Sequence, residues 1–176
     1  AISHGAGDGL KVSLNVIAML IGVIALIALI DFVLGRFGLF VFLQTGWTTV
    51  AGMDLQHFSL KEILGTIFSI FAWAMGVPSK DIHAAGQLLG TKLAVNECVA
   101  YMDLSRMKDT LDPRTLTIVR MACCGFANFS SIAIQVGGIG ELAPGRRSDL
   151  ARLGFRALIA GTLASYLSAT LAGIIQ

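Results

Sequence analysis

The sequence predicts an all-α integral membrane protein, and three observations support this fold class. The 176 residues are 55% hydrophobic and only 14% charged, whereas a soluble domain carries about 25% charged residues. Two apolar segments, at residues 12–34 and 150–175, exceed the roughly 20 residues that cross a bilayer. Polar residues interrupt two other apolar stretches, near Asn96 and Asn128. We therefore predict transmembrane helices together with a re-entrant helical hairpin and a broken transmembrane helix.

Charge and cysteine content argue against several other classes of protein. The formal net charge of +2 indicates no nucleic-acid partner. Cys98, Cys123 and Cys124 have neither disulfide-framework nor zinc spacing, so we expect buried free thiols. The three histidines are isolated in sequence and form no metal motif. The chain starts without Met and without a signal peptide, and we expect it to be a piece of a longer protein.

The first predicted unit, residues 1–56, is a long transmembrane helix followed by a connection. The segment 12–34 reaches roughly 34 Å as a helix, enough to span the hydrocarbon. Asp31 lies near its end, where a structural or interfacial role is expected. Residues 35–56 mix glycine, threonine and Trp47, which is typical of an interfacial connection.

The second unit, residues 57–112, begins with a short helix. Ser59 and Glu62 precede an apolar run at the spacing of a capping box. The helix is predicted from Leu60 to about Met75, because glycine and proline follow. It is short for a span, so we expect it to be slanted or to lie at the interface.

The rest of this unit is predicted to be a re-entrant hairpin whose tip is Asn96–Glu97. Its arms, residues 81–95 and 98–104, are each too short to cross a hydrocarbon layer about 30 Å thick. Such a hairpin is allowed where its tip is buried in protein or lines a cavity. A charge at mid-depth costs roughly 2.5–3.5 kcal/mol on insertion scales, so Glu97 requires a partner or a function. Lys92 is five residues away, about 140° around a helix, and meets Glu97 only if the chain turns between them.

The third unit, residues 113–176, is predicted to hold a broken transmembrane helix and a final span. Asp112 suits an N-cap before a proline at the first helical position. Several small or polar residues then weaken the helix: Gly125, Asn128, Ser130 and Ser131. The final span covers residues 150–175, with Ser148 as a plausible cap.

Four arginines cluster at the start of the final span: Arg146, Arg147, Arg152 and Arg156. By the positive-inside rule this end is cytoplasmic, so Gln176 faces outward.

The interrupted segments supply the candidate binding residues. Asn128 and Ser131 are three apart and would share a helix face or converge at a local break. A broken helix aimed at a polar hairpin tip is how secondary transporters build substrate sites. Carboxylate and amide groups suit a hydroxyl-rich ligand, and Phe126 would supply an apolar wall. The alternatives are that Glu97 is a loop carboxylate facing water and that the polar pair only joins helices.

Four stretches resemble the concentrative nucleoside transporter family, and together they cover essentially the whole chain. They are "MGVP", "GTKLAVNECVAY", "CGFANFSSIAIQ" and "LAPGRRSDLARLG". Cys98 stands where that family usually has phenylalanine. The resemblance implies the C-terminal half of an inverted-repeat transporter, whose first helix belongs to a scaffold. It also implies a homotrimer with elevator-like movement that drives nucleoside uptake with a sodium or proton gradient.

The same resemblance implies a role for each candidate residue. Glu97 contacts the ribose hydroxyls, Asn128 and Ser131 are further ribose contacts, and Phe126 is an apolar wall. Asn96 and Lys92 support them. No cofactor is implied, and the coupling cation, Na⁺ or H⁺, is expected mainly in the N-terminal half, which also reads the base.

Three functions follow as hypotheses. The first is a cation-coupled nucleoside symporter in the plasma membrane, with a bacterial inner membrane favoured. Its partners would be the nucleoside, lipid and its own N-terminal half. The second is a membrane receptor or accessory half-domain that binds a nucleoside without moving it. A membrane enzyme is weakly supported, because the sequence shows no paired carboxylates at metal spacing, no catalytic triad pattern and no cofactor loop.

Overall fold

The computed structural model describes residues 2–50, 53–142 and 144–176, and most of them are helical. The helices are α1 Ile2–Thr45, α2 Leu60–Ala74, α3 Ile82–Ala94, α4 Glu97–Met107, α5 Pro113–Cys123, α6 Phe129–Leu142 and α7 Arg147–Ile175. Short 3₁₀ turns, Ser79–Asp81 and Pro144–Arg146, precede α3 and α7. Two-residue strands, β1 Thr49–Val50 and β2 Met53–Asp54, form one antiparallel pair in the first connection. The all-α prediction is confirmed, with this small β pair as an addition.

The first helix is longer than predicted, because residues 35–45 continue α1 instead of forming a connection. The mixed composition from residue 35 onward predicts a connection, with glycine at positions 35 and 38. A Cβ on Gly38 would collide with the carbonyl oxygen of Leu55 and lie 2.6 Å from Cβ of Phe58. Gly38 therefore allows close packing within a continuous helix. The helix stops at Gly46, whose φ is 70°.

Two helical segments are long and apolar enough to cross a membrane. They are Ile24–Thr45, in which 6% of the apolar window is buried within the chain, and Arg147–Ile175, in which 28% is buried. Apolar side chains that are this exposed must be covered by lipid or by another protein surface, because an apolar patch of this length is unfavourable in water. These two segments are the transmembrane candidates among the described residues.

Local caps define α2 as the sequence predicts. The hydroxyl of Ser59 accepts a hydrogen bond from the N–H of Glu62 at 3.4 Å. At the other end Gly76 has φ 85°, and the N–H groups of Gly76 and Val77 donate back to carbonyls of the last turn. This is the Schellman pattern of a helix C-terminus.

Glycines bring α2 and α3 into close contact. A Cβ on Gly86 would collide with the carbonyl oxygen of Gly65, and one on Gly90 would lie 2.5 Å from Cβ of Leu64. The Gly-x-x-x-Gly spacing of Gly86 and Gly90 is a helix-packing signal in membranes. This contact fixes α3 and therefore the position of the polar residues at its end.

Two aspartates connect helix starts across the fold. Asp31 in α1 accepts a hydrogen bond from the N–H of Leu60, the first residue of α2, at 2.7 Å. Asp81 is 5% exposed and accepts from the N–H of Asp112 at 2.8 Å and from the hydroxyl of Thr115 at 2.7 Å. The structural role expected for Asp31 is thus confirmed, and Asp81 joins the start of α3 to that of α5.

The predicted cap of α5 is confirmed, whereas that of α7 is wrong. Asp112 accepts from the N–H of Arg114 at 3.0 Å, with Pro113 opening the helix. The last helix begins at Arg147, with Arg146 at the cap position and no side-chain cap. Ser148 already lies inside α7, because the 3₁₀ turn Pro144–Arg146 leads directly into the helix at Arg147.

Candidate functional site

Two helix breaks lie close together in the fold. The first separates α3 from α4 at Val95 and Asn96, and the second separates α5 from α6 at residues 124–128. Asn96 is extended and caps α4, since its Oδ1 accepts from the N–H of Val99 at 2.9 Å. Each break leaves the ends of two helices with unpaired backbone groups, which require polar partners.

Glu97 and Asn128 connect the two breaks directly. The side-chain amide of Asn128 donates to Oε2 of Glu97 at 2.9 Å. Asn128 is only 1% exposed, and Glu97 is half-buried. The carboxylate stands at the N-terminus of α4, where the helix dipole favours negative charge. Among the described residues nothing donates to Oε1 of Glu97, so this oxygen can accept hydrogen bonds from a bound molecule.

Asn128 is held in place by Ser131. Its Oδ1 accepts from the N–H of Ser131 at 2.8 Å and lies 2.8 Å from the Ser131 hydroxyl. The same hydroxyl also lies 2.8 Å from the carbonyl oxygen of Phe126. Because a hydroxyl has one proton, it donates to one of these acceptors at a time. The predicted pairing of Asn128 with Ser131 at three residues' spacing is therefore present at the start of α6.

Ser130 adds a second connection between the breaks. It is 2% exposed, and its hydroxyl donates to the carbonyl oxygen of Val95 at 3.1 Å. From the sequence, Ser130 is predicted only to weaken the helix. Its contact with Val95 joins positions 35 apart in the chain, so no local pattern could have indicated it.

A cavity of about 380 Å³ opens beside the second break. Its walls include Phe126, Asn128 and Ser131 from the break, and Gly154 and Leu158 from α7. Phe126 is 55% exposed. Glu97 does not line this cavity, although it binds Asn128, which does. The volume lies in the range of about 300–1,000 Å³ typical of small-ligand sites.

Lys92 is fully buried behind the two breaks, at 0% exposure. Its amino group has no hydrogen-bond partner among the described residues. It lies in the last turn of α3. The chain breaks between Lys92 and Glu97, which is the condition under which the sequence allows them to meet, but the two side chains form no hydrogen bond or ion pair. The structure therefore brings Glu97, Asn128 and Ser131 together by hydrogen bonds, with Asn96 as a cap and Lys92 behind them.

The cysteines are free, but two of them are not buried as expected. Cys123 is buried, whereas Cys98 and Cys124 are exposed. Cys124 lies 3.1 Å from the hydroxyl of Tyr101, which donates to the carbonyl oxygen of Arg120 at 2.7 Å. In a membrane protein an apolar sequence segment does not imply burial within the chain, since lipid can cover its surface.

Comparisons with known proteins match the whole chain to one family. Residues 1–173 match the family model described as "Na+ dependent nucleoside transporter C-terminus". A Bacillus subtilis protein named "Uncharacterized transporter YutK" is 46% identical over 175 residues, which is 99% of this chain and 40% of the relative. The Helicobacter pylori "Nucleoside permease NupC" is 38% identical over 99% of this chain and 40% of its own length.

A more distant relative and two solved structures agree. The mouse "Sodium/nucleoside cotransporter 1" is 35% identical over 99% of this chain and 28% of its own length. A variant of CNTnw in an intermediate state has TM-score 0.83 and 39% identity over 99% of this chain and 41% of that one. CNTnw in an inward-facing substrate-bound state has TM-score 0.77 and 38% identity over 98% of this chain and 40% of that one. The chain spans about 40% of the length of its bacterial relatives.

Proposed function

This chain belongs to the Na⁺ dependent nucleoside transporter family, and from this premise we propose that it is the C-terminal half of a cation-coupled nucleoside symporter. In this proposal Glu97, Asn128 and Ser131 bind the ribose hydroxyls, and Phe126 packs against the ligand. The hydrogen bond between Glu97 and Asn128 carries the proposal, because it sets a carboxylate and an amide side by side at two helix breaks.

The chemistry of these groups fits a sugar with two adjacent hydroxyls. An ionised carboxylate only accepts hydrogen bonds, whereas an amide both donates and accepts. Oε1 of Glu97 can accept a hydrogen bond from one ribose hydroxyl, and the side-chain amide of Asn128 can form a hydrogen bond with the adjacent hydroxyl. The packing of Asn128 against Ser131 restricts its rotamer before the ligand arrives, which lowers the entropy lost on binding.

Mechanistically, the breaks allow ligand binding to be coupled to movement. The α3–break–α4 unit would act as a re-entrant hairpin that closes over the ligand, and the closed unit would then cross the membrane in an elevator-like movement. Half-helices that meet at mid-membrane are the usual construction of secondary transporter sites. The base contacts and the coupling cation, Na⁺ or H⁺, are assigned to the N-terminal half, within a homotrimer.

Orientation and location complete the proposal. The arginines at the start of α7 support a cytoplasmic location for that end by the positive-inside rule, and with it an outward-facing Gln176. A bacterial inner membrane is proposed, since YutK and NupC come from bacteria. Transport is favoured over a receptor that only binds, because relatives matching almost the whole chain are named transporters, permeases and cotransporters.

The experiment compares uridine with 2′,3′-dideoxyuridine on the full-length protein and its Glu97→Gln variant. Losing a charge-assisted hydrogen bond of about 1.5–3 kcal/mol should weaken uridine binding roughly 10- to 100-fold. The dideoxy analogue lacks both hydroxyls, so its weaker binding should change little. Equilibrium binding of radiolabelled ligand to purified protein measures both.

Glu62→Gln is the matched control. Glu62 is a half-buried carboxylate outside the two breaks, and it accepts a hydrogen bond of 2.6 Å from the side-chain amide of Gln87. It should leave the affinity for both ligands unchanged. The ribose role of Glu97 is wrong if Glu97→Gln binds uridine like the wild type, or if it weakens both ligands equally.

A further inference from the structure

Lys92 presents an electrostatic problem that the ribose site does not explain. Its side chain is fully buried, and its amino group has no hydrogen-bond partner among the described residues. A buried ammonium without compensation costs several kcal/mol. For the ammonium form to persist here, its surroundings must supply negative potential.

The C-terminal end of α5 is one source of that potential. Lys92 lies in the last turn of α3, and its Nζ is 3.9 Å from the position that a Cβ on Gly125 would occupy. Gly125 follows Cys124, the C-cap residue of α5. The C-terminal end of a helix carries unpaired carbonyls and a partial negative charge. The Lys92 amino group thus lies close to the negative end of α5, and its own backbone belongs to the C-terminal turn of α3.

The carboxylate of Glu97 completes the arrangement. It lies within electrostatic range of the Lys92 amino group, although the two side chains form no ion pair, and it stands at the N-terminal, positive end of α4. Each of the two charges therefore lies near a helix end of opposite sign. The absence of a side chain at Gly125 lets the second break approach α7 closely, because a Cβ there would collide with the Ser165 hydroxyl.

We propose that Lys92 is a tethered cation, which occupies the position where a bound metal cation would otherwise neutralise the helix ends and Glu97. In transporters with broken helices, half-helix C-termini and unwound carbonyls commonly coordinate the coupling Na⁺. Here a covalently attached ammonium supplies the positive charge through space, without coordination by carbonyls, so this half of the site exchanges no cation during transport. Lys92 is a positioning residue, since it acts on the ligand through Glu97 and the two breaks. The proposal rests on the proposed function.

The first test removes the ammonium and supplies a free cation. In the full-length protein Lys92→Ala leaves space, whereas Lys92→Met removes the charge but fills the volume. Both should weaken uridine binding about 10-fold or more. Ethylammonium or a high Na⁺ concentration should restore most of the affinity to Lys92→Ala and little to Lys92→Met. Wild-type affinity in both variants, or a folded Lys92→Ala that responds to no cation, overturns the proposal.

The second test uses stability and does not depend on ligand binding. If Lys92 neutralises Glu97, then Lys92→Met/Glu97→Gln should unfold at a higher temperature than Lys92→Met, because it leaves no unpaired charge. If Lys92→Met fails to fold, the double variant should still fold. A double variant that is no more stable than Lys92→Met, or that also fails to fold, refutes the tethered cation. A wild-type protein that binds no nucleoside would contradict the proposed function instead, and the stability comparison would still be decisive for Lys92.

Discussion

Exchanging the carboxylate and the amide between Glu97 and Asn128 tests whether this pair joins the two helix breaks. In Asn128→Asp two carboxylates face each other where the amide nitrogen and Oε2 now lie 2.9 Å apart. Like charges at about 3 Å repel by roughly 5 kcal/mol at an effective dielectric constant of about 20. The lost charge-assisted hydrogen bond adds about 1.5–3 kcal/mol. Side-chain relaxation lowers this sum, so we expect a net destabilisation of about 3–5 kcal/mol.

The double variant Asn128→Asp/Glu97→Gln should recover most of this loss. The new glutamine amide can donate to the new carboxylate, and the other carboxylate oxygen can still accept from Ser131. Thermal unfolding of the purified full-length protein in detergent measures the effect. Asn128→Asp should lower the apparent Tm by roughly 5 °C or more, and the double variant should lie within about 2 °C of the wild type. A double variant as unstable as Asn128→Asp, or an Asn128→Asp variant with unchanged Tm, would refute the reasoning.

Two further predictions concern the helix contacts that position the site, and thermal unfolding of the full-length protein measures both. Gly86→Ala should destabilise the protein by about 1–3 kcal/mol, because the new methyl group enters the α2–α3 contact. The control Gly22→Ala should have little effect, because a Cβ there meets nothing within 4 Å. Equal shifts in Tm would contradict the close packing of α2 and α3. Asp81→Ala should cost about 1–3 kcal/mol for each donor left unsatisfied, the N–H of Asp112 and the hydroxyl of Thr115. Asp81→Asn keeps an acceptor oxygen and should lose less, so equal losses in the two variants would show that these hydrogen bonds do not matter.

Local interactions explain why some elements of the fold could be predicted. Caps such as Ser59 and Asp112 act on backbone groups two or three residues away, so their pattern is visible in the sequence. The break at Asn96 was predictable because the polar pair Asn96–Glu97 interrupts an apolar stretch. The extension of α1 to Thr45 was not, because glycine at position 38 serves a contact with a distant segment. The exposure of Cys98 and Cys124 was not predictable either, because it depends on which distant segments pack beside them.

The order of residues along the chain is enough to predict the helical class, the two interrupted segments, the family and three candidate residues: Glu97, Asn128 and Ser131. These follow from composition, short-range hydrogen bonding and motifs, all of which are encoded along a few consecutive positions. Three features become visible only in the folded chain: Asn128 binds Glu97 at 2.9 Å, Ser130 binds Val95, and the buried amino group of Lys92 has no hydrogen-bond partner among the described residues. Such contacts join residues that are distant in the chain or turn a side chain inward. They depend on how closely the helices approach, which side-chain volumes across the whole fold determine.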